Sequence, residues 1–244
     1  MQPNYSYFIC TTPYSGSKLL CAGLRQTDIA GRPREYFAVL GKKLYEEQLA
    51  VSTKPENAHG AAKHRDICLG EDYLAAVFAY GTSRNGVFGT EVVWDYFDDL
   101  VCRLRQLSAY KEMPVLNLLS AHFPNLHFIW MTRRDKERQA AALWRAYQTA
   151  SGMGDHTLSS GRELPARFEI IERLALGIAA DEANWLNFFK ACGIQPIRVI
   201  YEEFMTSYQT TIRHLLQDLC IPTPENSFFH FNTQESINSS KRTR

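Results

Sequence analysis

Three short segments carry side chains able to bind and move charge. The first is Thr11-Thr12-Pro13-Tyr14-Ser15-Gly16-Ser17-Lys18, followed by Leu19, Leu20 and Leu24 at helical spacing. A loop of this kind turns several backbone N–H groups into one concavity. A following helix adds about half a positive charge at its N-terminus. Together they form a cradle for phosphate or sulfate. Only Gly16 stands in for the glycines of the Walker loop, so the segment by itself fits an anion site and an ordinary strand–helix turn equally well.

The second segment runs from Thr132 to Ala146 and holds Arg133, Arg134, Arg138 and Arg145. Arg133 and Arg134 leave the end of a predicted strand, where ligands collect in open α/β sheets. A guanidinium there can grip a phosphate bidentately, which makes Arg133 the better phosphate candidate. Arg138 fits a solvated helix face beside Asp135 and Glu137 at least as well. The third segment is Gly31-Arg32-Pro33-Arg34-Glu35-Tyr36-Phe37. Glu35, set among arginines and aromatics, can accept a proton from a substrate hydroxyl. Standing alone, the segment favours a surface glutamate paired with an arginine.

Short apolar runs must position these segments. Tyr5 to Thr11, Val87 to Val93, Leu126 to Thr132 and Ile197 to Tyr201 read as strands. Helices are predicted from Leu19, over Glu71 to Gly81 and Trp94 to Leu107, after Asp135 through Thr149, over Arg167 to Cys192, and over Tyr208 to Leu219. Gly152, Gly154 and Gly161 mark a loop. The strands are continuously apolar and alternate with helices. That predicts an α/β fold, a central, mostly parallel sheet with helices on both faces. No internal repeat is visible.

The chain has 244 residues, 45% hydrophobic and 22% charged, with a formal net charge of +1. These values describe one soluble globular domain, or at most two small ones. The expected division is one domain over 1–222 and a polar, irregular tail over 223–244, ending in Lys241, Arg242 and Arg244. Near-neutral charge argues against a nucleic-acid coat. No run reaches the roughly 18 apolar residues of a membrane span. Met1 to Thr12 lacks a basic start, so no secretory signal is expected. Cys10, Cys21, Cys68, Cys102, Cys192 and Cys220 form no metal-site spacing and read as free thiols of a reducing cytoplasm. No metal is expected.

In their order along the chain, Thr12 to Cys21, Gly31 to Phe37, Asn85 to Asp95 and Arg133 to Thr149 resemble blocks of a known family. It is the bacterial PAPS-dependent sulfotransferases, typified by trehalose 2-sulfotransferase (PAPS is 3′-phosphoadenosine 5′-phosphosulfate). The resemblance implies a P-loop-like sulfotransferase fold, with PAPS as co-substrate and a small-molecule or carbohydrate acceptor. A homodimer is compatible with it, since relatives form dimers. Thr12, Pro13, Tyr14, Ser15, Gly16, Ser17, Lys18 and Leu19 would then surround the 5′-phosphosulfate. Arg133, with Arg138, would hold the 3′-phosphate. Glu35 would be the general base. Tyr36, Phe37 and Trp94 are candidates for an acceptor platform or for the core.

Four positions depart from the family pattern. Tyr14 replaces an arginine, Lys18 a small hydroxyl residue, Glu91 a lysine and Ala142 a serine. Losing one charged donor to a developing oxyanion commonly costs about 10²–10³ in rate. In one reading Lys18 restores the cation, taking a catalytic role, and pairs with Glu91. In the alternative, the protein has lost or altered PAPS use and runs different chemistry in the same pocket or acts as a non-catalytic partner.

Overall fold

The computed structural model describes residues 2–38, 71–107, 112–150 and 163–222. The predicted tail over 223–244 and the loop at Gly152, Gly154 and Gly161 lie outside those residues.

Four strands form one sheet: β1 (Tyr5–Thr11), β2 (Val87–Val93), β3 (Leu126–Thr132) and β4 (Ile197–Ile200). Their order is β2-β1-β3-β4 and every pairing is parallel. A parallel sheet is covered on both faces, which is why each strand reads as an unbroken apolar run rather than an alternation. The helices are α1 (Ser17–Gln26), α2 (Glu71–Gly81), α3 (Phe97–Leu107), α4 (Val115–His122), α5 (Lys136–Ala150), α6 (Glu163–Ala191), α7 (Tyr201–Thr206) and α8 (Tyr208–Asp218).

Two apolar cores lie against the two faces of β1. Tyr7 and Ile9 join Ile129 and Met131 of β3 against Leu20 and Leu24 of α1, Phe204 of α7, and Ile212 and Leu216 of α8. Phe8 and Cys10 join Phe88, Phe128 and Trp130 against Val77 of α2, Leu100 of α3, Leu118 of α4, and Trp185 and Phe189 of α6. Odd and even residues of one strand thus serve opposite cores. Helices cover both faces, as the alternation of elements predicts.

The sequence reading misses α4, whose eight residues lie between the third helix and the third strand. It also gives Tyr201 to the last strand. The strand ends at Ile200, and Tyr201 opens α7 with Glu202 and Glu203 in its first turn. Acidic side chains favour a helix N-terminus, and that overrides the strand preference of tyrosine. Trp94 to Tyr96 form a 3₁₀ turn before α3, and α6 starts at Glu163 rather than Arg167.

The sheet order places the start of two divergent connections side by side. After β1 the chain enters α1, which packs on the Tyr7 and Ile9 side. After β3 it enters α5, which runs along α6 through Ala140, Leu143 and Ile178. Neighbouring strands whose connections part in this way leave a crevice at their carboxyl ends.

Candidate active site

The loop after β1 is held in an unusual backbone shape. Tyr14 has φ 60° and Gly16 φ 99°, both left-handed. Tyrosine there is strained by about 1–3 kcal/mol and persists only if its surroundings fix it. They do. The buried hydroxyls of Thr11 and Ser15 share a hydrogen bond. The indole Nε1 of Trp185 donates to the Thr11 carbonyl at 2.8 Å. Gln139 of α5, wholly buried, donates its amide to the Thr12 hydroxyl at 3.0 Å and to the Pro13 carbonyl at 2.7 Å.

This frame leaves the start of α1 open. Its N-cap, Gly16, has no side chain to offer, Ser15 Oγ accepts only the Ser17 N–H, at 3.4 Å, and no acidic residue stands in the first turn. The backbone N–H groups of Gly16 and Lys18 donate to no partner among the described residues. Unsatisfied donors, alternating backbone handedness and a helix N-terminus together make an anion-binding concavity.

Gly16 is required by space as well as by handedness. A Cβ on it would stand 2.3 Å from Cδ2 of Tyr201. Tyr201 also carries the Arg133 guanidinium, 4.6 Å from the centre of its ring. Nε of Arg133 is buried and has no hydrogen-bond partner, as is Oε1 of Gln139. The carboxylate of Glu202 accepts the N–H groups of Arg134 and Asp135 at 3.1 and 3.2 Å. Burial pushes the Glu202 pKa up, but the backbone N–H groups of Arg134, Glu202 and Asp135 and the Arg133 charge together outweigh it, and the net shift is downward. Arg134 itself pairs with Glu203, and Lys136 with Glu182 at 2.7 Å, whereas Arg133 lies over Tyr201 with its charge acting on Glu202.

A second charged cluster meets the cradle from β2. The segment over Gly31 to Phe37 is fastened to the outer edge of β2: Glu91 N–H donates to the Arg34 carbonyl at 2.9 Å, and the Thr90 hydroxyl to the same oxygen at 3.1 Å. Because Glu91 pairs with Ile9, this brings Glu35 near the end of β1. Glu91 is 4% exposed. Its Oε1 accepts the Ser17 hydroxyl at 2.6 Å and its Oε2 lies 3.8 Å from the Cys21 thiol. Burial, then the Glu35 charge, pushes the Glu91 pKa up to about 7, against the opposing pull of Ser17, Lys18 and Cys21. The Tyr96 hydroxyl faces the same pair, its own pKa raised by burial and by both carboxylates.

The expected residues therefore divide. Thr12 to Leu19 form one loop and helix start, Arg133 lies over the ring of Tyr201 whose edge meets Gly16, and Glu35 acts as a charge on Glu91, which bonds Ser17. Arg138 is not drawn in: its side chain is 80% exposed and pairs with Asp135 at 3.2 Å. The expected pairing of Lys18 with Glu91 is replaced by Ser17 and Cys21, one helical turn apart on the buried face of α1, whereas Lys18 points outward. Phe37 is fully buried against Phe123 and belongs to the core. Tyr36 stacks on Phe88, and Trp94 packs against Phe97 and Trp185. Gln139, Tyr201, Trp185 and Glu202 escape a reading of the sequence. An aromatic residue directly after a strand is the one local signal that pointed at Tyr201.

A loop with unpartnered backbone donors after the first strand of a parallel sheet, an arginine after its neighbour and a carboxylate alongside are the parts that group transfer calls for. The sequence matches the Stf0 sulphotransferase family over residues 6–234, and the chain belongs to that family. It is 26% identical over 235 residues to the trehalose 2-sulfotransferase of Mycolicibacterium smegmatis, covering 88% of this chain and 84% of that one. It is 25% identical to the trehalose 2-sulfotransferase of Mycobacterium tuberculosis, covering 80% and 76%. A solved sulfotransferase from Alicyclobacillus acidocaldarius superposes with a TM-score of 0.49 at 15% identity, over 100% of this chain and 92% of that one. Among the described residues no helix is long and apolar enough to cross a membrane.

Proposed function

We propose that this chain transfers the sulfuryl group of PAPS to a hydroxyl of a sugar, glycolipid or small natural product. The observation that carries the reading is the convergence of Glu35 on the cradle through β2, which puts a proton acceptor beside an anion site. The residues present fit the co-substrate. The α1 N-terminus keeps the Gly16 and Lys18 N–H groups without a partner among the described residues, and the cradle is too tight at Gly16 for a side chain. Arg133 keeps a buried donor without a partner. When bound, PAPS supplies an activated sulfuryl group.

Thr12, Pro13, Tyr14, Ser15, Gly16, Ser17, Lys18 and Leu19 hold the 5′ end, with backbone donors and Lys18 balancing its charge. Arg133 holds the 3′-phosphate, with Arg138 able to join only by leaving Asp135. Glu35 takes the acceptor proton at its carboxylate. Alignment and charge balance supply most of the rate in such transfers. That the relatives above are named for trehalose supports a sugar acceptor. The buried free thiols of Cys10 and Cys21 support a reducing compartment, the cytoplasm.

Adenosine 3′,5′-bisphosphate (PAP), the desulfated product, tests the reading. At 100-fold excess over its dissociation constant it should stabilise the fold by about 2.7 kcal/mol, read as a rise in Tm. Glu35→Gln should abolish transfer and leave PAP affinity unchanged. No thermal shift up to millimolar PAP would sink the proposal. The Glu91 carboxylate on Ser17 favours a second reading, in which donor use has been altered or lost; a folded protein indifferent to PAP supports it.

A further inference from the structure

Glu91 bonds directly to a cradle residue, its carboxylate accepting the Ser17 hydroxyl. Ser17 is the first residue of α1, and its hydroxyl has a single hydrogen to donate. While Glu91 is ionised, that hydrogen is directed at Oε1, away from any anion in the cradle. A negative charge then also sits one hydroxyl away from the arriving phosphate. When Glu91 is protonated, the carboxylic O–H can donate to Ser17 Oγ instead, and the Ser17 hydrogen turns toward the anion. The charge disappears in the same step.

We infer that Glu91 couples anion binding at the cradle to uptake of one proton, so that the protein binds its phosphate-bearing ligand in the Glu91-protonated form. The inference rests on the reading of the cradle as a donor site. The proton passes from solvent to a Glu91 carboxylate oxygen, and no covalent bond in the ligand changes.

The groups around Glu91 favour this arrangement. From α1 come Ser17, Lys18 and Cys21, with Arg25 farther along the helix, its guanidinium on the Pro33 carbonyl at 2.6 Å. From the Gly31–Phe37 segment comes Glu35, a like charge. From the 3₁₀ turn comes Tyr96, whose hydroxyl lies 3.4 Å from the Glu91 carbonyl. Lys18 is exposed and Arg25 is committed elsewhere, so no cation contacts Glu91 among the described residues. A buried acid with a like-charged neighbour and no ion-pair partner titrates near neutrality, and its pKa of about 7 agrees. An anion in the cradle adds a third negative charge and raises that value further. Binding and protonation therefore reinforce each other, as linkage requires.

Isothermal titration of the whole protein with PAP between pH 5.5 and 8.5, in buffers of differing ionisation enthalpy, tests this. The expected result is little proton uptake on Glu91 at pH 5.5, rising toward one proton at pH 8. Affinity should weaken up to about tenfold per pH unit above pH 7. In Glu91→Gln, a neutral isostere whose amide can donate to Ser17, that additional slope should vanish while titration of the PAP phosphates remains. At pH 8 the variant should bind at least fivefold more tightly than the natural protein. Equal pH slopes and equal proton uptake in the two proteins would overturn the coupling and leave the donor site standing. If Glu91→Gln fails to fold, proton uptake by the natural protein decides alone, since uptake no greater than PAP's own phosphates account for refutes the coupling. Absence of PAP binding by both proteins at every pH would overturn the donor reading and the coupling together.

Discussion

Gly16 and Tyr201 compete for one space: a methyl group on the glycine would stand 2.3 Å from the ring carbon Cδ2 of the tyrosine. The same ring lies under the Arg133 guanidinium at 4.6 Å. One aromatic side chain, positioned by the end of β4, therefore touches both the cradle and the arginine beyond it. A side chain that carries no charge thus joins the loop after β1 to the arginine after β3.

Gly16→Ala should lose about 2–4 kcal/mol, from the clash and from forcing a Cβ into a left-handed backbone. Tyr201→Ala in the same chain should recover the clash part only. A double-mutant cycle in urea measures the coupling. A Gly16→Ala protein within 0.5 kcal/mol of the natural one, on the scale of ordinary surface changes, would show that the contact is not limiting.

Gln139→Ala leaves the Thr12 hydroxyl and the Pro13 carbonyl without their donor in a buried place. Unpaired buried groups cost about 1–3 kcal/mol each, so the denaturation midpoint should drop measurably. The loosened loop should also bind PAP several-fold more weakly. Unchanged stability and affinity together would mean that water replaces the amide without loss.

The two arginines of the 3′ side should separate sharply. Arg133→Ala should raise the PAP dissociation constant about 10–100-fold, the value of a hydrogen bond to a charged group. Arg138→Ala, in a side chain 80% exposed and paired with Asp135, should change it less than twofold. A titration of both variants at one salt concentration checks this, and the reverse order would move the 3′-phosphate onto the outer face of α5.

Stability should fall with pH through one buried acid. Glu91 has its folded pKa raised from 4.5 to about 7. Between those values the folded protein holds a proton that the unfolded chain releases. The stability it contributes is full at low pH, is lost as pH rises through that window, and is flat above it. Glu91→Gln should therefore gain at least about 1 kcal/mol over the natural protein at pH 8, a Tm rise of about 2–4 °C, and nothing at pH 4.5. Thermal melts at the two pH values decide it; equal differences at both would assign the effect to packing rather than charge.

The strands were readable because burial on two faces writes them as continuous apolar runs, and Tyr5–Thr11, Val87–Val93 and Leu126–Thr132 have the bounds that those runs predict. Periodicity also placed α2 and most of α3, α6 and α8. It failed at Val115–His122, where Asn117 and Ser120 interrupt a short apolar stretch with no cap to announce it. The site was legible as segments but not as contacts. Lys18 looked like the partner of Glu91 because opposite charges invite pairing. Helix phase decides otherwise: Ser17 and Cys21 share the inward face, and their neighbour is turned about 100° away. The bonds of Gln139 to Thr12 and of Trp185 to Thr11 span more than a hundred residues, and no local pattern encodes such partners.

The central strand comes first in the chain and its neighbours come late. Tyr5 pairs with Val87, and Ser6 pairs with Leu126. At about 5–20 residues per second of synthesis, β1 emerges roughly 6–24 seconds before β3 can meet it. Until β2 emerges this largely apolar strand has both edges bare, and until β3 emerges it has one, while the loop that becomes the cradle lacks its partners Gln139 and Trp185. Sheet closure on both sides of β1 should therefore govern the folding rate. In the nascent chain Tyr5–Thr11 is the stretch most open to capture by a stray strand or to shielding by a chaperone.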